Sequence, residues 1–404
     1  MPRKTLAVVG GGAASVFAAI TAARNNPQLA ITIYEASDKL LDKVKISGGG
    51  RCNVTHHCFD IAELVKNYPR GHKELKSVFS RFQPQDTIDW FEKEGVRLKA
   101  EPDGRMFPVT DSSQTIIDCL LHNLKKCNID ICYNHRIKSV IQEGPFVLTD
   151  SRGETLSADL LLLATGSSKD GYAIAESLGH SAIDCVPSLF TFKIKDQRID
   201  LLSGVTFPMV TLTLKTARKK YEQSGPMLIT HWGISGPAVL KLSAFAAREL
   251  HQVHYKSELR INYVPGISQQ SVKDKITGLK KTDAKKYLYS LPLFELPKRF
   301  WQQLLEYLQI QETTAIAQLS SKQIQLLTDE LTNGKYMMSG KGIFKEEFVT
   351  CGGVSLKEVD LKTMQSKCCP NLYLAGELLD IDGITGGFNF QSAWSTGWIA
   401  GKSI

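Results

Sequence analysis

The sequence predicts an α/β fold whose first unit is a strand, a glycine turn, a helix and a second strand. Residues 10–15 read Gly-Gly-Gly-Ala-Ala-Ser between an apolar run and an alanine-rich stretch. A second apolar run at residues 30–34 ends at Glu35. Two later predicted strands, residues 160–163 and 371–374, are followed closely by glycine. Together these features are typical of a Rossmann-like parallel sheet that binds a dinucleotide.

The glycine turn has a separate role for each small residue. We expect Gly10 to allow a tight exit from the strand and Gly12 to let a pyrophosphate approach the backbone. Ala13 and Ala14 open the helix, whose free N–H groups attract an anion. Ser15 stands at the place of the third glycine, and it weakens the motif without breaking it because this place needs only a small side chain.

Glu35 lies at the end of the second strand, twenty residues beyond Ser15. A carboxylate at this place hydrogen-bonds the ribose hydroxyls of an adenosine dinucleotide. It fits FAD or NAD and would repel a 2′-phosphate. The alternative interpretation is a βαβ unit in which the glutamate stands by chance.

The composition indicates a globular protein with reduced thiols. The 404 residues include 43% apolar and 22% charged residues, which excludes a disordered chain. Nine cysteines without a C-x-x-C pair favour free thiols over a disulfide framework. Basic residues before the apolar run of residues 6–23 resemble a signal peptide, but three glycines inside the run favour the strand and helix. We therefore expect a soluble protein in the cytoplasm, without a membrane span.

A second glycine-rich stretch follows at residues 43–53. It combines glycines with cationic and amide side chains, which suits a long ligand that extends beyond its first phosphates. The expected contacts are Lys43, Ser47, Gly49, Gly50, Arg51, Cys52 and Asn53. A flexible surface loop is the alternative interpretation.

Two further strand ends carry small residues where a cofactor must lie close to the sheet. The candidates are Ala164, Thr165 and Gly166 in one segment, and Gly376, Glu377, Gly386, Gly387, Phe388 and Asn389 in the other. A helix is predicted over residues 391–400. A helix N-terminus preceded by two glycines can point at the N1–C2=O edge of a flavin and stabilise the anionic reduced ring by about 0.3–2 kcal/mol.

These motifs make the chain similar to the HI0933-like (or YhiN-like) family of bacterial FAD-dependent oxidoreductases. The resemblance covers most of the chain and rests on residues 10–12, 43, 47–53, 104–108, 164–166, 230–237, 351–354 and 376–387. The blocks Ser-Gly-Gly-Gly-Arg-Cys-Asn and Thr-His-x-Gly-Ile-Ser-Gly-Pro are specific in combination. The chain departs from the family at Ser15 and at residues 167–172, where a longer loop is common.

The resemblance implies a Rossmann-like FAD-binding domain of the glutathione-reductase type, built from residues 1–186 and 351–404. It implies a β-rich, barrel-like insertion over residues 187–260 and 335–350. A small helical insertion is implied over residues 261–334.

The resemblance also implies hydride transfer between FAD and a small organic substrate. Since no second G-x-G-x-x-G unit is present, we expect NAD(P)H only as a transient reductant. Two alternatives stay open: an FAD-dependent RNA-modifying enzyme and a flavin-binding regulatory module without turnover. The net charge of +8 and the lysines of residues 273–286 would suit RNA, but a solvated face is the simpler interpretation, so nucleic acid is not expected as a partner.

His231 is the predicted catalytic residue. It lies in a glycine-rich turn of the implied β-rich insertion, and histidine suits proton transfer near neutral pH. A structural histidine bonded to the backbone is the alternative. No metal is expected, because the spacing of Cys52, His56, His57 and Cys58 matches no common zinc site.

Overall fold

The computed structural model describes residues 3–216, 219–342 and 349–404. Residues 217–218 and 343–348, which the sequence assigned to the β-rich insertion, lie outside the described residues. The chain forms two compact units. The first comprises Met1–Cys185 and Thr350–Ile404, and the second comprises Val186–Val349.

The first part of the chain alternates strands and helices. Its strands are β1 (Thr5–Val9), β2 (Ala30–Tyr34), β3 (Thr55–His56), β4 (Leu98–Ala100), β5 (Arg105–Pro108), β6 (Asp130–Cys132), β7 (Ile137–Gln142), β8 (Phe146–Asp150), β9 (Thr155–Ala158) and β10 (Leu160–Leu163). Its helices are α1 (Ala13–Asn25), α2 (Asp42–Gly50), α3 (Ile61–Leu64), α4 (Leu75–Phe79), α5 (Pro84–Lys93), α6 (Ser113–Lys126) and α7 (Lys169–Ser177).

The rest of the chain changes to longer antiparallel strands and then returns to short ones. The strands are β11 (Ala182–Ser188), β12 (Phe192–Ile194), β13 (Thr206–Lys215), β14 (Lys220–Thr230), β15 (Gly233–Ser235), β16 (Ser257–Asn262), β17 (Gly334–Lys341), β18 (Val349–Val354), β19 (Val359–Asp360), β20 (Gln365–Ser366) and β21 (Leu372–Leu374). The helices are α8 (Pro237–Phe245), α9 (Ala247–Gln252), α10 (Gln269–Thr282), α11 (Lys298–Tyr307), α12 (Ser321–Asn333) and α13 (Phe388–Ser403). Short 3-10 turns include Leu356–Glu358 and Gly376–Leu378.

The main sheet of the first unit has the strand order β19-β20-β21-β10-β1-β2-β6. From β21 to β6 the strands are parallel, with Val9 opposite both Leu163 and Tyr34. Strands β10 and β21 are fully buried, as their unbroken apolar sequence predicts. The carboxyl ends of β1, β2, β10 and β21 therefore meet at one edge, where ligands bind in sheets of this kind.

Helix α13 packs closely against α1. A Cβ at Gly397 would lie 2.5 Å from the Ala14 carbonyl oxygen, and one at Gly401 would lie 2.4 Å from that of Ala18. Glycine at these two positions, one helical turn apart, is thus required by the close approach of the backbones. The helix predicted over residues 391–400 extends at both ends in the structure.

The second unit is built on a closed barrel of six strands in the order β12-β15-β14-β13-β16-β17. Its core continues into α10, α11 and α12, where Phe300 packs against both Phe207 and Tyr263 with ring centroids 4.9 and 4.5 Å apart. The predicted fold class, a Rossmann-like domain with a barrel-like and a helical insertion, is confirmed. Within the described part of the chain, no helix combines the length and the apolar character needed to cross a membrane.

Candidate dinucleotide site

The glycine turn leaves β1 through a conformation that only glycine adopts easily. Gly10 has φ +103°, and a Cβ there would lie 2.6 Å from the Ala164 carbonyl oxygen. Gly12 differs, because its backbone is extended and a Cβ would meet nothing within 4 Å. The turn therefore packs against the end of β10 on one side and faces open space at Gly12.

The N-terminus of α1 has the properties of an anion site. No side chain caps Gly12, and the first turn of the helix contains no acidic residue. Ser15 is fully buried, and its hydroxyl donates to the Gly12 carbonyl at 3.0 Å. The N–H groups of the first turn, from Ala13 and Ala14 onward, can therefore serve a bound phosphate.

Glu35 is held at this turn by backbone hydrogen bonds. One carboxylate oxygen accepts from the Gly11 N–H at 2.7 Å, and the other accepts from the Ser37 N–H at 2.8 Å. Each oxygen keeps a further lone pair, which can accept from a ribose hydroxyl. The structure thus brings the predicted acid to the glycine turn.

The second glycine-rich stretch begins with a helical turn that the sequence analysis did not predict. Residues 42–46 form one helical turn of α2, and Ser47 leaves the helix at ψ 150°. The next three glycines have φ values of +57°, +69° and +84°. A Cβ at Gly49 or Gly50 would meet nothing within 4 Å. A helical start followed by left-handed glycines therefore leaves bare backbone facing open space.

Lys43 and Glu377 form an ion pair with each other. The Lys43 Nζ lies 2.5 Å from one Glu377 carboxylate oxygen, and the other oxygen accepts from the Thr350 N–H at 3.2 Å. The Ser47 hydroxyl donates to the Val44 carbonyl at 2.9 Å. Gly376, with φ +73°, approaches Ala14 so closely that a Cβ would lie 2.7 Å from the alanine methyl group. The ion pair between Lys43 and Glu377 thus joins α2 to the turn that follows β21.

Arg51 and Cys52 have surroundings that define what each can do. The Arg51 guanidinium lies 2.6 Å from Glu101 and stacks 3.9 Å from the centroid of the Phe107 ring. A second acid, Asp111, lies at 3.5 Å. Burial raises the pKa of the Cys52 thiol to about 12, so it is protonated at neutral pH and is a poor nucleophile.

The N-terminus of α13 is positioned by Asn53 and His56. The Asn53 amide lies 3.0 Å from both the Gly387 nitrogen and the Thr55 oxygen, so it accepts from one and donates to the other. The His56 Nδ1 donates to the Gly386 carbonyl at 2.9 Å, and its ring stacks on Phe388 with centroids 4.5 Å apart. The first turn contains no side-chain cap and no acidic residue. This is a second helix end that favours a negative charge.

The loop before α13 carries additional supports that the sequence did not reveal. Asp382, fully buried, pairs through both oxygens with the Arg70 guanidinium. The Tyr68 hydroxyl donates to the Phe388 carbonyl at 2.6 Å. Asn389 accepts from the Gly383 N–H at 2.8 Å and donates to its carbonyl at 2.9 Å. The Asp-Gly pair before the Thr-Gly-Gly motif was the available signal, but Arg70, the partner of Asp382, lies 312 residues earlier in the chain.

The segment after β10 lies at the same sheet edge. Ala164 is buried, and Gly166 has a left-handed φ of +59°. The buried hydroxyl of Thr165 makes no hydrogen bond with any residue the structure describes.

The residues of this site fit FAD. Gly12, Gly49 and Gly50 leave open space beside the backbone, and the two helix ends have no side-chain cap. When bound, FAD would supply hydride transfer at its ring.

His231 lies in the second unit, between β14 and β15. The residue is exposed, and its ring packs edge-on against Trp232 with centroids 4.4 Å apart. The Trp232 Nε1 in turn donates to the Thr191 hydroxyl at 3.2 Å. The structure therefore shows an accessible imidazole in the barrel.

Comparison with known proteins identifies the family. The model of the HI0933-like protein Rossmann domain matches residues 4–403. A 3-dehydro-bile acid delta(4,6)-reductase of Clostridium scindens is 29% identical over 98% of both chains. A ribosomal RNA dihydrouridine synthase of Escherichia coli is 28% identical over 100% of this chain and 98% of its own, and one from Haemophilus influenzae is 29% identical over 98% and 97%.

A solved structure shares the fold at low identity. The 3-ketosteroid-delta4-(5alpha)-dehydrogenase of Rhodococcus jostii aligns with a TM-score of 0.51 and 13% identity, over 99% of this chain and 96% of its own. The match spans both units, which agrees with the confirmed fold class. The chain therefore belongs to the HI0933-like family and is an FAD-dependent oxidoreductase.

Proposed function

We propose that this protein reduces a carbon–carbon double bond conjugated to a carbonyl group in a small organic substrate. The proposal rests on the names of relatives that match this chain over nearly their whole length. One is a 3-dehydro-bile acid delta(4,6)-reductase, and two are ribosomal RNA dihydrouridine synthases. In each named reaction the reduced bond is activated by a neighbouring carbonyl. Hydride addition to such a bond is a chemistry that FAD supports.

FAD would be held by the residues that surround the two uncapped helix ends. We assign the pyrophosphate to the turn of Gly10 and Gly12 with the first N–H groups of α1, and the ribose to Glu35. The remaining proposed contacts are Ala13, Ala14, Ser15, Lys43, Ser47, Gly49, Gly50, Arg51, Cys52, Asn53, Ala164, Thr165, Gly166, Gly376, Glu377, Gly386, Gly387, Phe388 and Asn389. We assign the flavin ring to the N-terminus of α13, where negative charge is favoured by about 0.3–2 kcal/mol.

Glu35→Gln tests the ribose assignment. The amide keeps the shape but can no longer accept from two backbone N–H groups and a ribose hydroxyl together. We expect FAD affinity to fall about tenfold, or about 1.4 kcal/mol, when apoprotein is titrated with FAD. Asp38→Asn, an exposed acid near the same strand end, is the control. Unchanged affinity in Glu35→Gln would contradict the assignment.

His231 is proposed to donate the proton that completes the reduction. Its exposure in the barrel leaves the imidazole accessible to a substrate. We expect His231→Asn to lower the rate of substrate reduction and to change its pH profile, while FAD content stays unchanged. An unaltered pH profile would return the residue to a structural role.

The substrate class is tested by single-turnover oxidation of the reduced enzyme under anaerobic conditions. The reduced protein is mixed with 2-cyclohexenone, a 3-oxo-4,6-diene steroid or uridine, and flavin absorbance is followed at about 450 nm. Return of absorbance with an unsaturated ketone, and a product heavier by two hydrogen atoms, is expected. Cyclohexanone is the saturated control. No reaction with any conjugated compound would refute the proposal and favour a regulatory flavoprotein.

The reductant is tested separately. We propose that NADPH or NADH reduces the flavin in a transient encounter, because no second dinucleotide motif is present in the sequence. Rapid mixing with each nucleotide should bleach the flavin with a rate that rises with nucleotide concentration.

We also expect the protein in the cytoplasm, where free cysteines stay reduced.

RNA is the second candidate substrate, and the dihydrouridine synthase relatives favour it. In the second unit, α10 and the turn after it carry exposed lysines, among them Lys275, Lys281 and Lys285. Filter binding to bulk tRNA at two salt concentrations tests this, since phosphate contacts are strongest at low salt. Retention at low salt that is lost in a Lys281→Glu/Lys285→Glu variant would support RNA. No retention at low salt would exclude it.

A further inference from the structure

We propose that His180, Glu358 and Cys368 in the first unit bind one Zn²⁺ ion. These residues belong neither to the candidate FAD site nor to any metal motif of the sequence. A ring nitrogen of His180, a Glu358 carboxylate oxygen and the Cys368 Sγ all lie within 4.8 Å of one another. An imidazole nitrogen, a carboxylate oxygen and a thiolate sulfur are each ligands that zinc accepts in proteins.

Two of the three ligand atoms are already at the spacing that a zinc ion requires. The His180 Nδ1 lies 3.4 Å from the Glu358 Oε2. Tetrahedral bonds of about 2.0–2.1 Å to nitrogen and oxygen place these two atoms about 3.4 Å apart. Glu358 is held there because its Oε2 also accepts from the Ser181 N–H at 2.8 Å.

His180 is an independent sign of a ligand. The residue is only 5% exposed, and its buried Nδ1 makes no well-aligned hydrogen bond with any residue that the structure describes. The Glu358 Oε2 that faces it at 3.4 Å already accepts from the Ser181 N–H. A buried polar atom without a hydrogen bond is unfavourable, and coordination of an ion would satisfy it.

The other ring nitrogen keeps the histidine in place. Its Nε2 lies 2.7 Å from the Ser366 hydroxyl oxygen, which accepts from the Cys368 and Cys369 N–H groups at 3.0 and 2.9 Å. A contact of this kind on the remote nitrogen is what orients metal-binding histidines. It leaves Nδ1 facing the Glu358 carboxylate.

Cys368 is exposed, so an ion can enter from solvent. On binding, its thiol loses a proton to solvent and the thiolate bonds to the metal, while His180 binds as the neutral imidazole. Sulfur and imidazole ligands favour Zn²⁺ over Mg²⁺ and Ca²⁺. With three protein ligands, a water molecule completes the tetrahedron.

The proposed ion would connect three segments of the first unit. His180 precedes β11, Glu358 ends the 3-10 turn before β19, and Cys368 follows β20. Strands β19 and β20 are the antiparallel edge of the main sheet. The metal would therefore fasten this edge and stabilise the folded state by binding only to it.

The test uses untagged holoenzyme that is stripped with a chelator and then titrated with Zn²⁺. We expect one equivalent to bind, and the zinc X-ray absorption spectrum to show one sulfur at about 2.3 Å with nitrogen and oxygen neighbours. Cys368→Ser should lose the sulfur signal and bind zinc about 10–100-fold more weakly. The matched control is Cys185→Ser, which also changes an exposed cysteine of this unit.

A second measurement keeps the test independent of folding. At a zinc concentration that just saturates the wild type, the thermal midpoint should rise in the wild type and in Cys185→Ser and rise much less in Cys368→Ser, whose midpoint without zinc should equal that of the wild type. Substoichiometric binding, a zinc spectrum without sulfur, or equal zinc affinity in Cys368→Ser and the control would overturn the proposal.

Discussion

The N-termini of α1 and α13 are alike in sequence and differ in how they are built. Both helices begin after glycine, without a side-chain cap and without an acid in the first turn. Gly12 is extended and faces open space. Gly387 has φ +91°, and a Cβ there would lie 2.4 Å from the Thr55 carbonyl oxygen.

This difference separates two uses of glycine. At α1 the missing side chain leaves room for a ligand, whereas at α13 it lets the backbone pack against another segment of the protein. The first helix end is formed by adjacent residues of a βαβ unit. The second depends on Asn53, His56, Tyr68 and the Arg70–Asp382 pair, all of which the fold brings from elsewhere.

The largest effect is expected where the second helix end loses its buried support. Asp382→Ala leaves the Arg70 guanidinium buried without its carboxylate, so we expect the free energy of unfolding to fall by about 3–5 kcal/mol. Urea unfolding of the apoprotein measures it. The double variant Arg70→Met/Asp382→Leu should recover part of the loss, because no charge is then left buried. A double variant less stable than Asp382→Ala would contradict this explanation.

Gly387→Ala should destabilise the protein through strain at the same helix end. The methyl group meets the Thr55 backbone in a conformation that L-residues rarely adopt. We expect a loss of about 1–3 kcal/mol in the unfolding of the apoprotein, with weaker FAD binding as a consequence. A variant with wild-type stability would show that the loop adjusts freely.

Gly12→Val should have the opposite pattern. The extended backbone accepts a side chain, so the apoprotein should unfold at the wild-type urea concentration. The side chain occupies the space assigned to the pyrophosphate, and we expect FAD affinity to fall about tenfold, or about 1.4 kcal/mol. Gly278→Ala, in open space on α10, is the control. Equal FAD affinity in Gly12→Val and Gly278→Ala would contradict the assignment of the pyrophosphate to this turn.

The smallest effect concerns Cys52. Its pKa is raised to about 12 by burial, so the reactive thiolate is scarce below that pH. We expect iodoacetamide to leave Cys52 unmodified between pH 7 and 9 while it labels the exposed Cys185. Peptide mass spectrometry of the native protein measures both. Labelling of Cys52 at the rate of Cys185 would show that the glycine-rich segment opens in solution.

The sequence pattern predicted a strand correctly where one continuous run of apolar residues forms it. The apolar run of residues 30–34 and the run of residues 160–163 coincide with β2 and β10. The first turn of α2 was missed, because glycines at its end obscured five helical residues before them. The helix predicted over residues 391–400 was too short. The first turn of α13 contains Phe388 and Asn389, which the sequence analysis had assigned to the segment before the helix.

The dinucleotide fold, the glycine turn and the acid at the end of β2 could be predicted from the chain, because each depends on residues that are close together in sequence. The contacts of Arg70 with Asp382, of His56 with Gly386, and of His180 with Glu358 became visible in the folded chain alone. Hydrogen bonds and ion pairs act over a few ångströms in space. Sequence spacing reveals them only when a single turn or strand end supplies both partners.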